Sequence, residues 1–330
     1  MRLPDGWSSD RSRFEFAGVN WNSEKRKSIR LSAPPEAGAA RAVVAWESDE
    51  GDGECVWPLI RLGDGRSVET AELERHGRRL LALDNGILRL ELAPGYGGAA
   101  PGLFKGKTNR LQSPFPAIGA IDRIAPFHGG ILPFLEALRG PLRRETFEGE
   151  FPADEEANGF LWRGVRERVA ICNDERLCGL ILEYGFWTVG GAKTIRLGVR
   201  AINRTGVRQR PHVGFAVFAR PGGTESDPIL FAPGIRLKPG PLDRTAPEGE
   251  YAGALDPVSG KAIVLAGRLS AARIQRFGAQ ACALFYTERL NLNPGAAAEA
   301  IAYLSLAKNE EEALAYSALG QCMNRTDRRA

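Results

Sequence analysis

From about residue 76 onward the chain repeats one short pattern: apolar and polar residues alternate for several positions, a turn intervenes, and the alternation resumes. Leu88, Leu90 and Leu92 project to one side while Ile87, Arg89 and Glu91 project to the other, the period of two that marks a strand with one buried face. The alternation recurs over 165–171, 180–187, 195–201, 213–219, 281–286 and 301–306. Between these segments stand runs such as Ala93-Pro-Gly-Tyr-Gly-Gly98 and Asn203-Arg-Thr-Gly206, whose residues favour tight turns. Many antiparallel strands spread through 330 residues predict an all-β chain folded as a large sandwich or barrel. The 39 glycines and 21 prolines agree with frequent turns and exclude an all-helical bundle.

Residues 1–75 have a different texture, with polar stretches flanking short apolar pieces such as Arg41-Ala-Val-Val-Ala-Trp46. They read as an N-terminal β extension or small accessory module, with the main domain over 76–330. One short C-terminal helix is expected where Asn309 can cap 310–319 and three successive glutamates sit at the positive end of the helix dipole. Gly320 would stop it. A further helical turn is expected at 135–138, cut short by Gly140-Pro141. Residues 324–330 read as a frayed basic tail.

The 44 basic and 40 acidic residues leave a net charge of +4, too weak a field to call for a nucleic-acid or anionic-membrane partner. No apolar run reaches the length of a membrane span, and the start Met1-Arg-Leu-Pro-Asp-Gly-Trp7 lacks the apolar core of a signal peptide, so the expectation is a cytoplasmic protein. Five cysteines at irregular spacing form no Cys-x-x-Cys knuckle and read as reduced structural thiols. The acidic stretch 148–156 lacks the spaced aspartates of a calcium loop and reads as a solvated turn. Neither a phosphate-cradling glycine loop nor a Gly-x-Ser-x-Gly elbow occurs. No cofactor and no metal is implied.

Several segments carry a resemblance. Leu83-Asp-Asn-Gly-Ile-Leu-Arg-Leu-Glu-Leu-Ala-Pro-Gly-Tyr-Gly-Gly98 resembles the opening of the galactose mutarotase-like β-sandwich proteins. Pro126-Phe-His-Gly-Gly-Ile-Leu-Pro133 is similar to the Arg-Gly-Gly-Ile-Pro segment of the hexose-phosphate mutarotases, and Asn158-Gly-Phe-Leu-Trp-Arg163 to their His-Gly-Phe-Ala-Arg segment. Pro211-His-Val-Gly-Phe-Ala-Val-Phe218 resembles the return strand, and Leu290-Asn-Leu-Asn-Pro-Gly295 the closing turn. The segments occur in the family's order. The resemblance implies a two-sheet antiparallel supersandwich that binds a sugar or oligosaccharide in a concave groove. It does not imply mutarotase chemistry, because Asn158 stands where the first catalytic histidine would be and Ala216 or its neighbour Val217 where the second would be, and none of these side chains transfers a proton at neutral pH.

The proton carriers left are His128 and His212, with Glu288 near the position of the family's late carboxylate. His128, beside Gly129-Gly130 and a few residues after Asp122 and Arg123, could act as a base, or it could merely satisfy a loop carbonyl. His212 stands on the strand face opposite Val213, Phe215 and Val217. Asn158, Trp162, Arg163, Tyr184 and Arg123 are the candidate substrate contacts: aromatic rings for stacking on a pyranose, guanidinium for a carboxylate. Arg163, Arg166 and Arg168 form one row and Arg196 and Arg200 another. They could clamp an acidic sugar; the favoured alternative is a solvated face balanced by Glu167, Glu183 and other acids. The functional expectation is a carbohydrate-binding protein that, if an enzyme, performs sugar epimerisation or uronate β-elimination. The alternatives are a non-catalytic glycan-binding sandwich and a structural module.

Overall fold

The computed structural model describes residues 1–16, 25–121, 124–135, 141–157, 159–224, 227–240, 243–267, 271–277 and 281–324. In chain order the N-terminal strands are β1 (Ser8–Ser9), β2 (Leu31–Ser32), β3 (Gly38–Ser48) and β4 (Gly51–Arg61). Then come β5 (Glu69–Arg75), β6 (Arg78–Asp84), β7 (Arg89–Ala93), β8 (Ala99–Lys105), β9 (Thr108–Asn109), β10 (Gly119–Ile121), β11 (Ile124–Phe127) and β12 (Ile131–Leu135). The middle of the chain supplies β13 (Phe147–Glu150), β14 (Glu155–Ala157), β15 (Phe160–Ala170), β16 (Leu180–Thr188), β17 (Thr194–Asn203) and β18 (His212–Val217). The last third supplies β19 (Ile229–Ala232), β20 (Ile235–Leu237), β21 (Arg244–Thr245), β22 (Tyr251–Leu255), β23 (Ala262–Gly267), β24 (Ala272–Phe277), β25 (Ala281–Arg289) and β26 (Ala297–Ala307), followed by helices α1 (Glu310–Tyr316) and α2 (Leu319–Asn324).

Two antiparallel sheets dominate. Sheet I runs β21-β24-β25-β18-β12-β8-β7-β6-β5 and sheet II runs β13-β15-β16-β17-β26-β23-β22-β19-β20. Alternate residues of each sheet meet in one apolar core, where Leu83, Leu92, Ile131, Phe215 and Leu284 of sheet I face Val165, Leu182, Leu197, Leu265 and Leu304 of sheet II. The alternation legible in the sequence is thus the division between a core face and an outer face.

Strand β5 forms the edge of sheet I, so residues 69–75, read from sequence as part of the N-terminal extension, belong to the sandwich. The extension itself is the long β3–β4 hairpin, paired from Gly38↔Arg61 to Ser48↔Gly51. Its root packs through Ala39 and Ile60 against Ala313, Ala315 and Tyr316 of α1. Asn309 caps α1, its side chain accepting from the Glu312 N–H at 2.9 Å. Gly320 does not end the helix but lies within α2, where a Cβ would collide with the carbonyl of Gly267; close backbone approach, not a left-handed cap, selects glycine there. The expected turn at 135–138 begins with Leu135 closing β12, and its remainder, like residues 325–330 of the tail, lies outside the described residues. Among the described residues no helix is long and apolar enough to cross a membrane. All five cysteines are free, yet only Cys282 is buried, which corrects the expectation that they fill apolar space.

Candidate functional site on the outer face of sheet I

Strand registers place the outer face of sheet I residue by residue. Arg273 of β24 lies opposite Phe285 of β25, Phe285 opposite Ala216 of β18, and Ala216 opposite Leu132 of β12. One row further along, Thr287 faces Gly214 and Gly214 faces Phe134. Ala216, Ala283 and Phe285 of this face are buried in an apolar cluster, with Leu132 and Phe134 half-buried beside them. At one end the face is covered. Phe127 and Phe218 meet edge to face at 4.9 Å, Phe218 and Phe277 stack at 6.4 Å, and Ile121 and Ile124 of the β10–β11 hairpin pack onto the cluster. At the other end Phe134 and His212 remain partly exposed, as does Arg273 between the two ends, while Gln275, opposite Ala283, lies toward Phe277. Phe134 contacts Phe285 edge to face at 5.5 Å.

Arg273 is an electrostatic feature of this face. Its guanidinium carbon lies 4.9 Å from the centre of the Phe285 ring, a cation–π contact that fixes the side chain against the sheet. Its Nε is buried without a hydrogen-bond partner, and among the described residues no carboxylate meets the guanidinium. Sequence reading passed over this residue because Ala272-Arg-Ile-Gln-Arg-Phe277 does not alternate cleanly. Arg276 occupies an inward position, where it is buried and held by the Asp227 carboxylate and, at 2.6 Å, by the Pro228 carbonyl. The Ala272 and Ile274 spacing was the signal that could have placed Arg273 and Gln275 outward.

The expected proton carriers do not converge. His128 precedes β12, whose Ile131 pairs with Val217, whereas His212 opens β18, whose Val213 pairs with Leu135. At about 3.3 Å per residue the two imidazoles stand at opposite ends of β18, on the order of 20 Å apart. His128 is buried edge to face against Tyr96 at 4.7 Å, with its carbonyl accepting from the Ser113 hydroxyl at 2.9 Å. Burial raises the pKa of the Tyr96 phenol, which donates to the Ala117 carbonyl at 2.5 Å. Gly129 and Gly130 serve the backbone: both have positive φ, and a Cβ on either would strike the carbonyl of Gln112 or Ala100. Glu288 falls on the inward parity of β25 with Tyr286, whose hydroxyl donates to it at 2.8 Å, while His212 is on the outer parity of β18. The three groups therefore form no acid–base set.

The candidate contacts from the middle strands are placed elsewhere. Tyr184 lies in the core between the sheets, its hydroxyl donating to the Phe134 carbonyl at 3.2 Å and its pKa raised by burial; no ligand reaches it. Trp162 lies on the outer side of sheet II but is fully buried beneath Arg196, whose guanidinium carbon is 4.8 Å from its ring and 4.9 Å from that of Trp187. Arg196 is clamped by both oxygens of Glu155. Arg163 is bidentate with Asp154 at 2.9 and 2.6 Å and also donates to the Val68 carbonyl, while Arg166 pairs with Glu150 and Arg200 with Glu183. Four of the five guanidinium groups in the rows are thus neutralised, three of them by the acidic stretch 148–156, which they fasten through β13 and β14, while the exposed Arg168 has no ion pair among the described residues. Glu167 takes no part, because it points into the core. Arg123 and Asn158 lie outside the described residues. No cluster of His, Cys, Asp and Glu able to hold a metal occurs among the described residues.

Two broad antiparallel sheets around a single core match the galactose mutarotase-like fold. Solved structures agree. A candidate aldose 1-epimerase from Klebsiella pneumoniae matches 87% of this chain and 96% of its own with a TM-score of 0.56 at 11% identity. A galactose mutarotase-like protein from Clostridium acetobutylicum matches 74% of this chain and 99% of its own with a TM-score of 0.52 at 9% identity. A candidate aldose 1-epimerase from Escherichia coli K12 matches 73% and 99% with a TM-score of 0.50 at 10% identity. No family model matches the chain, and no curated protein matches it in sequence. Identities this low establish the shared fold and nothing finer.

Proposed function

We propose that this chain is a carbohydrate-binding protein of galactose mutarotase-like fold that uses the half-exposed end of the sheet I outer face and does not interconvert anomers or epimers. The observation that carries the reading is the separation of His128, His212 and Glu288, since ring opening needs an acid and a base within reach of one pyranose. Ala216 adds to it: a methyl group forms the floor where the resemblance puts a catalytic histidine. Of the two arginines expected to clamp a uronate for elimination, Arg163 is already bidentate with Asp154. Binding retains its support in the fold and in the half-exposed Phe134 ring and Arg273 guanidinium on the outer face of sheet I.

A glycan array read beside proton-exchange NMR of glucose and galactose anomers tests this. The expected result is saturable glycan binding with anomerisation at the uncatalysed rate. Accelerated anomerisation that disappears in His128→Ala would restore the epimerase. The architectural reading is favoured by one observation, the β10–β11 hairpin packed onto the phenylalanine cluster; an array without hits would support it and remove the present one.

A further inference from the structure

We propose that the row of guanidinium groups Arg289, Arg210 and Arg208, which continues the half-exposed end of the sheet I outer face, binds a polyanionic polysaccharide through its sulfate or carboxylate groups. This deepens the carbohydrate-binding reading and rests on it. Beyond β18 and β25 the two chain segments stay paired. His212 lies opposite Arg289, the Leu290 N–H donates to the Pro211 carbonyl at 2.9 Å, and Gln209 and Leu292 exchange both backbone hydrogen bonds at 2.9 Å. Leu290 and Leu292 belong to the core and Pro211 is buried, so the alternate positions Arg208, Arg210, Arg289 and Asn291 share the outer parity of His212. All four are exposed. The Arg208 Nε donates to Asn291 Oδ1 at 2.8 Å, which ties the last row to the one before it.

None of these three guanidinium groups forms an ion pair among the described residues. Two acids near this end are engaged: Glu288 has the inward parity and accepts from the Tyr286 hydroxyl at 2.8 Å. Asp174 pairs with Arg176 at 3.4 Å, on the loop whose Arg176 carbonyl accepts from Gln209 Nε2 at 3.0 Å. Arg168 is also unpaired, but it stands in register between Glu148 and Glu183, whereas Arg289 and Arg210 stand opposite His212 and Asn291. Outward residues repeat at about 7 Å along a strand and about 5 Å across a pair, so a chain with anions on successive sugars meets several of these charges and a lone anion meets one. One exposed contact is weak; several in line, each displacing a counterion of the polymer, add up. The outward position of β18 after His212 is Gly214, opposite the half-exposed Phe134 of β12, whose ring suits the apolar face of a pyranose. A net charge of +4 supplies no long-range field for a nucleic acid.

The test titrates four probes calorimetrically into the full chain at low and at physiological salt: a heparin-type sulfated hexasaccharide, a hexagalacturonate, a neutral glucose hexasaccharide and a single-stranded hexanucleotide. At least one acidic glycan is expected to bind tenfold or more tighter than the neutral one and to weaken as salt rises, and the one that binds names sulfate or carboxylate as the anion. The combined variant Arg208→Gln, Arg210→Gln, Arg289→Gln should erase that preference while leaving the neutral probe within twofold. Arg208→Lys, Arg210→Lys, Arg289→Lys should retain part of it, and Arg168→Gln on sheet II should leave it intact; circular dichroism confirms that each variant folds. Equal affinity for acidic and neutral glycans, a preference that survives the three Gln substitutions or falls as far in Arg168→Gln, or tighter binding of the oligonucleotide overturns the proposal. Binding of the neutral glycan while both acidic ones fail also overturns it and leaves the carbohydrate reading standing, whereas failure of all three glycans removes both.

Discussion

Glu167 shows what one side chain can cost a fold. It sits on the inward parity of β15 between Val165 and Val169, fully buried, with neither carboxylate oxygen meeting a partner. Burial alone pushes its pKa up to about 8, because the charged form is disfavoured away from water. An acid whose folded pKa lies above its unfolded value contributes stability that is complete below the unfolded pKa near 4.5 and is lost as pH rises through the folded one. The loss proceeds at about 1.4 kcal/mol per pH unit. Glu167→Gln should therefore gain on the parent by on the order of 3 kcal/mol between pH 5 and pH 8. Urea titrations of both proteins at the two pH values measure the difference, and parallel behaviour would mean the carboxyl is solvated. Its place was legible in principle, since the alternation of 165, 167 and 169 outranks its charge. Reading it as a counter-ion for Arg166 and Arg168 let residue type override parity.

At the scale of elements the sequence spoke clearly where local chemistry decides and poorly where a partner does. The α1 start needed only Asn309, the glutamates and the dipole, and the structure adds an ion pair at 3.0 Å between Glu312 and Lys193, the residue before β17. Asn309→Ala should cost about 1 kcal/mol, seen as a lowered denaturation midpoint with the slope unchanged. A larger effect is expected at the β12 entry. Gly130 has φ of +77° with the Ala100 carbonyl in the way of any Cβ, so Gly130→Ala should destabilise by about 3 kcal/mol or more, whereas Gly159→Ala, at positive φ in open space, should lose about 1 kcal/mol. Thermal melts of the pair separate a backbone collision from conformational preference. Strand β24 escaped notice for the opposite reason: Arg276 is inward because Asp227, distant in sequence, neutralises it, and alternation carries no record of that partner. Trp187 is similar. Its ring lies over Gly164, Gly185 and Gly198 on three successive strands of sheet II, a placement that becomes meaningful only when the strands are side by side.

The outer face of sheet I belongs to the whole molecule. It joins β12, β18 and the β24–β25 pair, which long stretches of chain separate, and no local pattern states that they are neighbours. The sequence could therefore announce two sheets and their core faces but not which outer residues converge, and it set His128 and His212 together although β18 holds them apart. The N-terminal hairpin raises the same question of belonging. Its outer part is solvent-exposed, with Trp46 and Trp57 about half accessible, while its root packs against α1 through Ala39 and Ile60. Removing residues 1–61 strips apolar cover worth on the order of 3 kcal/mol without touching a strand of either large sheet. The shortened chain should keep its β-type circular dichroism and melt about 5–10 °C lower, with α1 the first element to lose amide protection in hydrogen exchange. An unchanged melting temperature would make the hairpin an independent appendage, and loss of the β signal would make it part of the cooperative fold.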